Sequence, residues 1–223
     1  MDVGGHVTAP EEDVRSLLSR GHDARLAGDV DEAATLFGWA IERARADSDS
    51  QGELAALLQL GGVALDADDP GTARAHLHDG LLRARALSDQ LGEADALVGL
   101  ARVLEMTGEP GAAGHLETAV VMYSAVGEKR GEAGGRLRLA RMSSGDAAFR
   151  HLDRAVDLFM QSGDRRGEAN ALLAMGESCL AEGDLLSADG ALRPAVSIFE
   201  ELGDTEAAGR AAAVLERVTS WPS

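Results

Sequence analysis

Apolar residues recur along the chain with the period of an amphipathic helix, and one pattern returns five times. Each copy has Ala, then Leu or Phe four residues later, then Ala or Gly three further on, then an aliphatic residue. The five copies begin at Ala33, Ala73, Ala112, Ala148 and Ala188. Apolar positions at i, i+4, i+7 and i+8 fall on one face of an α-helix, so each copy predicts an amphipathic helix.

A second stripe, at i, i+3, i+4 and i+7, precedes each copy and predicts a partner helix. Its clearest example is Leu57, Leu60, Gly61 and Ala64. The third position holds Gly or Ala in every copy, and a small residue there lets the antiparallel neighbour approach closely. The two patterns together predict five helix pairs, and a last apolar run predicts an eleventh helix over residues 204–219.

A Gly-Glu pair marks the start of four of the first helices. The glutamates are Glu53, Glu93, Glu132 and Glu168, which are 40, 39 and 36 residues apart. A glutamate in the first turn stabilises a helix through the helix dipole. No alternating β-branched run competes with the helical pattern, so no sheet is expected.

The composition agrees with an all-helical protein and excludes several functions. Of the 223 residues 45% are apolar but only 3% aromatic, so Ala, Leu and Val build the core. The formal charge of −17 repels phosphate backbones and anionic membranes, so no nucleic-acid or membrane partner is expected. The same charge predicts a monomer when the protein is alone. Neither a signal peptide nor a bilayer-spanning run is visible, which predicts a cytoplasmic protein.

The helix pairs resemble the tetratricopeptide repeat (TPR), in a variant whose period is longer than the usual length of about 34 residues. The resemblance rests on the small residues of both stripes and covers nearly the whole chain. It implies an all-α fold, a right-handed α-solenoid of about five antiparallel helix pairs plus a C-terminal capping helix. The predicted organisation is a single TPR-like superhelical domain over 10–220, between a disordered segment at 1–9 and a tail at 221–223.

Little in the sequence points to catalysis or to metal binding. His76 and His78 are two residues apart, so on a helix they point to different faces and do not chelate one ion. The single cysteine, Cys179, lies on an apolar stripe and is interpreted as an inert core thiol. No Ser, His and Asp order and no paired carboxylates indicate a catalytic centre. The sequence therefore predicts no catalytic residue, no metal and no cofactor.

In proteins that this chain resembles, the first helix of each pair lines a concave groove that holds a peptide or a partner helix. The helix period places an apolar track and several polar residues on that face. The predicted groove residues are Leu58, Gln59, Val98, Arg102, Glu105, Leu137, Arg138, Arg141, Asn170, Leu173 and Glu177. Two interpretations of Arg102, Arg138 and Arg141 stay open. They pair with Glu105, Glu132 or Glu177 and are merely solvated, as is common for exposed charges, or they bind carboxylates of an incoming segment.

These features predict a non-catalytic protein-interaction module, a scaffold or adaptor that binds a peptide or helix of another protein in its groove. A first alternative is a sensory regulator whose superhelix changes shape when it binds a small ligand or a signalling peptide. A second alternative is an enzyme with a site in the groove, which carboxylates of strongly raised pKa in a closed pocket would indicate.

Overall fold

The computed structural model describes residues 12–220, and these form eleven α-helices with no strand among them. In chain order the helices are α1 Val14–Leu26, α2 Val30–Asp47, α3 Ser50–Asp66, α4 Pro70–Leu87, α5 Gln90–Thr107, α6 Ala112–Val126, α7 Lys129–Arg141, α8 Gly145–Ser162, α9 Arg165–Ala181, α10 Leu185–Glu201 and α11 Thr205–Thr219. The predicted all-α class, the five pairs and the eleventh helix are confirmed. The segments 1–9 and 221–223, predicted as disordered and as a tail, lie outside the described residues.

The chain divides into two compact units, and each is described by itself. Unit 1 covers residues 12–115 and contains α1 to α5 with the start of α6. Unit 2 covers residues 116–220 and contains the rest of α6 and α7 to α11. That residues 10–220 form a single domain stays a prediction.

In unit 1, the helices of each pair pack together, and the first helices α1, α3 and α5 form a row. The two sequence patterns meet inside each pair. A Cβ on Gly21 of α1 would lie 2.6 Å from the ring of Phe37 of α2. A Cβ on Gly61 of α3 would lie 2.5 Å from Cγ of Leu77 of α4. The close approach at the third stripe position is therefore made by the large side chain of the partner pattern rather than by the partner backbone.

Unit 2 repeats this arrangement, with α7, α9 and α11 as the row of first helices. A Cβ on Gly176 of α9 would overlap Cγ of Leu192 of α10, as at the same stripe position in unit 1, whereas one on Gly135 of α7 would lie 2.7 Å from Val120 of α6, which belongs to the preceding pair. The first three positions of the five-fold pattern are buried in every copy. The aliphatic fourth position is buried in the first three copies and half-buried at Val156 and Val196.

Aspartate begins most of the helices, which accounts for part of the acidic composition. In eight helices the N-cap is an Asp whose side chain accepts a hydrogen bond from the backbone N–H three residues further on. Asp69 caps α4 in this way, with Pro70 at the first helical position. A cap of this kind contributes about 0.5–2 kcal/mol to stability, so these carboxylates are structural.

Three of the four glutamates of the Gly-Glu pairs are buried, which their first-turn position did not predict, and the fourth, Glu93, is half-buried. Glu53 is 6% exposed, Glu132 is 4% and Glu168 is 8%. The Glu53 carboxylate joins three helices, because it accepts from Arg45 of α2 at 2.8 Å and from Arg83 of α4. A buried carboxylate without a partner is strongly destabilising, so these arginines compensate the charge.

We expect Gly176→Ala to lower the free energy of unfolding of unit 2 by about 1–3 kcal/mol, because the new methyl group overpacks against Leu192. The matched control is Gly134→Ala on α7, where an added Cβ meets nothing within 4 Å. That change should raise stability by about 0.5–1 kcal/mol, because alanine replaces glycine inside a helix. Urea unfolding followed by circular dichroism measures both, and equal effects at the two positions would contradict the packing described.

We expect the double variant Arg45→Ala, Arg83→Ala to cost about 3 kcal/mol or more, because it leaves the buried Glu53 carboxylate without a cation. Each single variant should cost about 1 kcal/mol or less, since the other, partly exposed arginine stays in place. Arg43→Ala, which removes the exposed pair between Arg43 and Asp47, is the control and should cost about 0.5 kcal/mol at most. A double variant whose loss equals the sum of the single losses would refute this role of Glu53.

Candidate functional site

Unit 2 carries two adjacent clefts on the side of its first helices, α7, α9 and α11. The first, of about 310 Å³, is lined by Ala140, Arg141, Ser143, Leu152, Ala174, Glu177 and Ser178. The second, also of about 310 Å³, is lined by Glu177, Leu180, Ala181, Val214 and Arg217. Glu177 belongs to both clefts, and we call the pair the double cleft.

Small side chains open this space, and buried apolar residues form its floor. Leu152 and Leu180 are buried below the opening, whereas Ala174 is half-buried and Ala181 is exposed. Ala181 lies 13 residues after Glu168, and in unit 1 Asp66 lies 13 residues after Glu53. The two residues therefore occupy the same position of the repeat. A methyl group thus stands in unit 2 where unit 1 has a carboxylate.

Three charged side chains surround the double cleft, one on each helix of the row. Arg141 is on α7, Glu177 is on α9 and Arg217 is on α11, and all three are exposed. None of the three side chains makes an ion pair with another of the residues from 12 to 220. The charges alternate in sign across the row, and each remains open to a binding partner.

In the corresponding row of unit 1, charged side chains of the three helices form ion pairs with one another. Asp66 of α3 binds Arg25 of α1 at 2.8 Å and Arg102 of α5 at 3.3 Å. Arg25 also donates to the side-chain oxygen of Gln59 at 3.2 Å, and Arg102 to the carbonyl of Leu65 at 3.5 Å. The chain of ion pairs connects α1, α3 and α5. Arg102, for which the sequence leaves internal pairing and partner binding both open, is engaged with Asp66.

The apolar track predicted for the groove lies largely within helix packing. Leu137 is 9% exposed and belongs to a core cluster with Leu152 and Phe159. It is therefore a core residue rather than a surface anchor, because the helix pair α7–α8 closes around it. Leu58 is half-buried and packs towards α4, where a Cβ on Gly80 would lie 3.0 Å from it.

The remaining predicted groove residues lie in different environments. Val98, Arg138, Asn170 and Leu173 are half-buried, and Glu105 is exposed. Of the full predicted set, the double cleft brings together only Arg141 and Glu177 among its lining residues.

Two residues of α11, Val214 and Arg217, line the double cleft and were not among the predicted groove residues. The sequence analysis predicts only a capping helix for this part of the chain. A sequence feature does mark them, since the stripe that is apolar in α3 reads Arg210, Ala213, Val214 and Arg217 in α11. This polar stripe indicates a helix face that is not covered by a second helix.

Another cleft, of about 300 Å³ in unit 1, is lined by Arg45, Glu53, Leu57, Asp79, Leu82, Arg83 and Ala86. Both of its arginines already bind the buried Glu53 carboxylate. A ligand carboxylate entering here would compete with an ion pair that the fold itself requires. This cleft is therefore a weaker candidate site than the double cleft.

Helices α7 and α8 concentrate positive charge within an acidic chain. Seven of the 21 Lys and Arg residues fall in this pair, namely Lys129, Arg130, Arg136, Arg138, Arg141, Arg150 and Arg154. His151 lies among them, and its Nδ1 is buried without a hydrogen-bond partner among the described residues. Burial lowers the pKa of His151, the charges of Arg136 and Arg150 lower it further, and Glu117 opposes them.

The described residues contain no cluster of three or more side chains suited to hold a metal ion. Burial raises the pKa of the Cys179 thiol, and Asp184 and Glu182 act in the same direction. The thiol is thus kept protonated and unreactive. Across the part of the chain that the structure covers, no helix has the length and apolarity needed to cross a membrane.

Several solved structures share this architecture. A putative kinesin light chain from Podosopora anserina with nearly identical TPR-like repeats is 16% identical at a TM-score of 0.62, over 86% of this chain and 96% of that one. A Rap protein complexed with Competence and Sporulation Factor is 14% identical at a TM-score of 0.67, over 94% of this chain and 65% of that one. A signal transduction ATPase with a TPR sensor, from Pyrococcus horikoshii, is 15% identical at a TM-score of 0.70, over 94% of this chain and 34% of that one.

These likenesses show the fold, an all-α solenoid of the TPR type, as the sequence resemblance predicted. The chain spans less than two thirds of the Rap protein and about a third of the ATPase. No protein-family model matches the chain, and no curated protein is similar enough in sequence to be matched.

We expect the unfolding free energy to fall between pH 7 and pH 5 partly through His151. Its folded-state pKa lies below the ordinary 6.5, so the unfolded chain binds the proton more readily. The stability held above pH 6.5 is thus lost as the pH falls towards the folded-state pKa. His151→Gln should flatten this slope in urea unfolding, whereas His22→Gln on the exposed surface of α1 should leave it unchanged. An unaltered slope in His151→Gln would contradict the assignment.

Proposed function

We propose that this chain is a non-catalytic protein-interaction module that binds a peptide segment of a partner protein in the double cleft of unit 2. The observation that carries the proposal is the open triad of Arg141, Glu177 and Arg217 around an apolar floor. Buried apolar contacts supply most of the affinity at such sites, while charges at the margin tune rate and specificity. The floor and the surrounding charges of the double cleft fit this division.

The size of the double cleft suits a segment of polypeptide. Each cleft holds about 310 Å³, at the lower end of the range of about 300–1,000 Å³ for small-ligand sites. That volume accommodates a few side chains rather than a folded domain. The two clefts lie side by side across α7, α9 and α11, so a continuous segment is able to use both.

The comparisons support a binding role for the fold. The Rap protein was solved in complex with Competence and Sporulation Factor, and the archaeal ATPase carries its TPR repeats as a sensor. These roles belong to those proteins. They support the proposal because the same architecture there serves recognition rather than a chemical step.

A second candidate function is a sensory regulator that changes conformation when it binds a signalling peptide or small ligand. The sensor repeats of the archaeal ATPase favour it. The two functions differ in one measurable property, the change in radius of gyration on binding. Small-angle X-ray scattering of the chain with and without a bound peptide separates them, since a rigid scaffold shows no change.

The proposal is tested with peptides selected from a random 12-residue display library against the full chain and then synthesised. Ala181→Trp fills the second cleft from its exposed margin and should weaken their binding at least about tenfold, equivalent to about 1.4 kcal/mol. Ala125→Trp, at an exposed position of α6, is the matched control and should bind as the wild type does. Unchanged melting temperatures show that both variants fold. Peptides that bind all three proteins equally would place the interface elsewhere and refute the proposal.

A further inference from the structure

The charges of the double cleft form an ordered series across the row of first helices. Arg141 on α7 is followed by Glu177 on α9 and then by Arg217 on α11. Helix α9 packs directly against both α7 and α11. A segment that crosses the row therefore meets a cation, an anion and a cation, one at each helix.

The spacing of these charges selects a backbone conformation. Packed helices lie about 8–10 Å apart, and we take this general spacing as the step between charges on neighbouring helices of the row. A polyproline II helix has three residues per turn and rises about 3.1 Å per residue, so it returns to one face every ~9.3 Å. A β-strand returns a side chain to one face about every 6.7 Å, which does not match the interval. An α-helix is about 10–12 Å wide and is too thick to enter clefts of this volume.

Unit 1 contains an internal example of the same alternation. There Asp66 lies between Arg25 and Arg102 and binds both. In unit 2 the position of Asp66 is taken by Ala181, and no carboxylate among residues 12–220 pairs with Arg141 or Arg217. Acidic side chains of a bound segment would form ion pairs with Arg141 and Arg217, and a basic side chain would form one with Glu177.

The two residues between successive charges lie over the apolar floors. Ala140, Leu152 and Ala174 line the first cleft, and Leu180 and Val214 line the second. Proline suits these places, because it has no backbone N–H to leave unsatisfied and favours the polyproline II conformation. The charge pattern reads identically in both directions, so it does not set the direction of the bound chain.

We infer that the double cleft selects a polyproline II segment with the charge pattern acid–x–x–base–x–x–acid, an inference that rests on the proposed function. The occupant carries one net negative charge, and the triad of Arg141, Glu177 and Arg217 carries one net positive charge. The charges of the segment are therefore complementary to those of the triad, even though the whole chain is strongly acidic, with a formal charge of −17.

The test uses capped heptapeptides and the full chain at 0.15 M salt. Glu-Pro-Pro-Lys-Pro-Pro-Glu presents the inferred pattern, Lys-Pro-Pro-Glu-Pro-Pro-Lys inverts every charge, and Glu-Pro-Lys-Pro-Glu keeps the order but shortens the spacing. The first should bind at least about tenfold tighter than the second, because each exposed ion pair contributes up to about fivefold and the inverted peptide is repelled. It should also bind tighter than the shortened peptide. Equal affinities in either comparison would overturn the inference.

A charge exchange at the centre of the triad sharpens the test. Glu177→Lys should prefer Glu-Pro-Pro-Glu-Pro-Pro-Glu over the lysine-centred peptide, which reverses the order seen with the wild type. Glu182→Lys, an exposed position at the end of α9 outside both clefts, changes the total charge equally. Glu182→Lys should keep the wild-type order of peptide affinities. A reversal in Glu182→Lys as well would mean that the overall charge, and not the double cleft, sets the preference, and it would overturn the inference.

Failure of this inference and failure of the proposed function give different results. If library-selected peptides lose affinity with Ala181→Trp but the heptapeptides show no preference up to millimolar concentration, the charge pattern is wrong and the binding site stands. If the library peptides also ignore Ala181→Trp, the proposed function itself fails.

Discussion

The packing of one large side chain onto one glycine, seen in the pairs α1–α2, α3–α4 and α9–α10, is the contact on which the rest of this structure depends. Phe37 meets Gly21, and Leu77 meets Gly61, at distances where no added methyl group fits. This contact fixes how closely two helices pack and therefore how the first helices of successive pairs line up. Because the same contact recurs in unit 2, both units present a row of first helices, and the row is what carries the charges of the candidate site.

Much of the acidic charge of the chain serves the fold. Eight aspartates cap helices, and three of the four Gly-Glu carboxylates are buried, as Glu53 is against Arg45 and Arg83. These groups are occupied by the chain itself and cannot be read as a binding surface. Exposed charges that make no ion pair among residues 12–220, such as Arg141 and Arg217, are therefore more informative about a partner than the net charge.

The fold was predictable from the sequence because the same pattern of small and apolar residues recurs in every repeat. Five copies of this pattern leave little ambiguity in the number of helices or in their register. The site was not, because it depends on which side chains from different repeats meet. Asp66 binds Arg25, 41 positions away, and Arg102, 36 positions away. The helix period does not reveal such a pairing between repeats. Leu137 was misplaced for a related reason: in the short α7 the core extends onto the face expected to be open. The broken stripe of α11, by contrast, was visible in the sequence.

The two units show how one packing scheme supports either a closed or an open surface. In unit 1 the carboxylate of Asp66 ties three first helices together, so the row gains ion pairs and loses its free charges. In unit 2 Ala181 takes that position, and Arg141 and Arg217 make no ion pair with another of the described residues. An exposed ion pair contributes about 1 kcal/mol at most, so leaving it unmade costs little stability. A carboxylate at this repeat position thus goes with a row of first helices held together by ion pairs in unit 1, and a methyl group goes with a row whose exposed charges make no ion pair among residues 12–220 in unit 2.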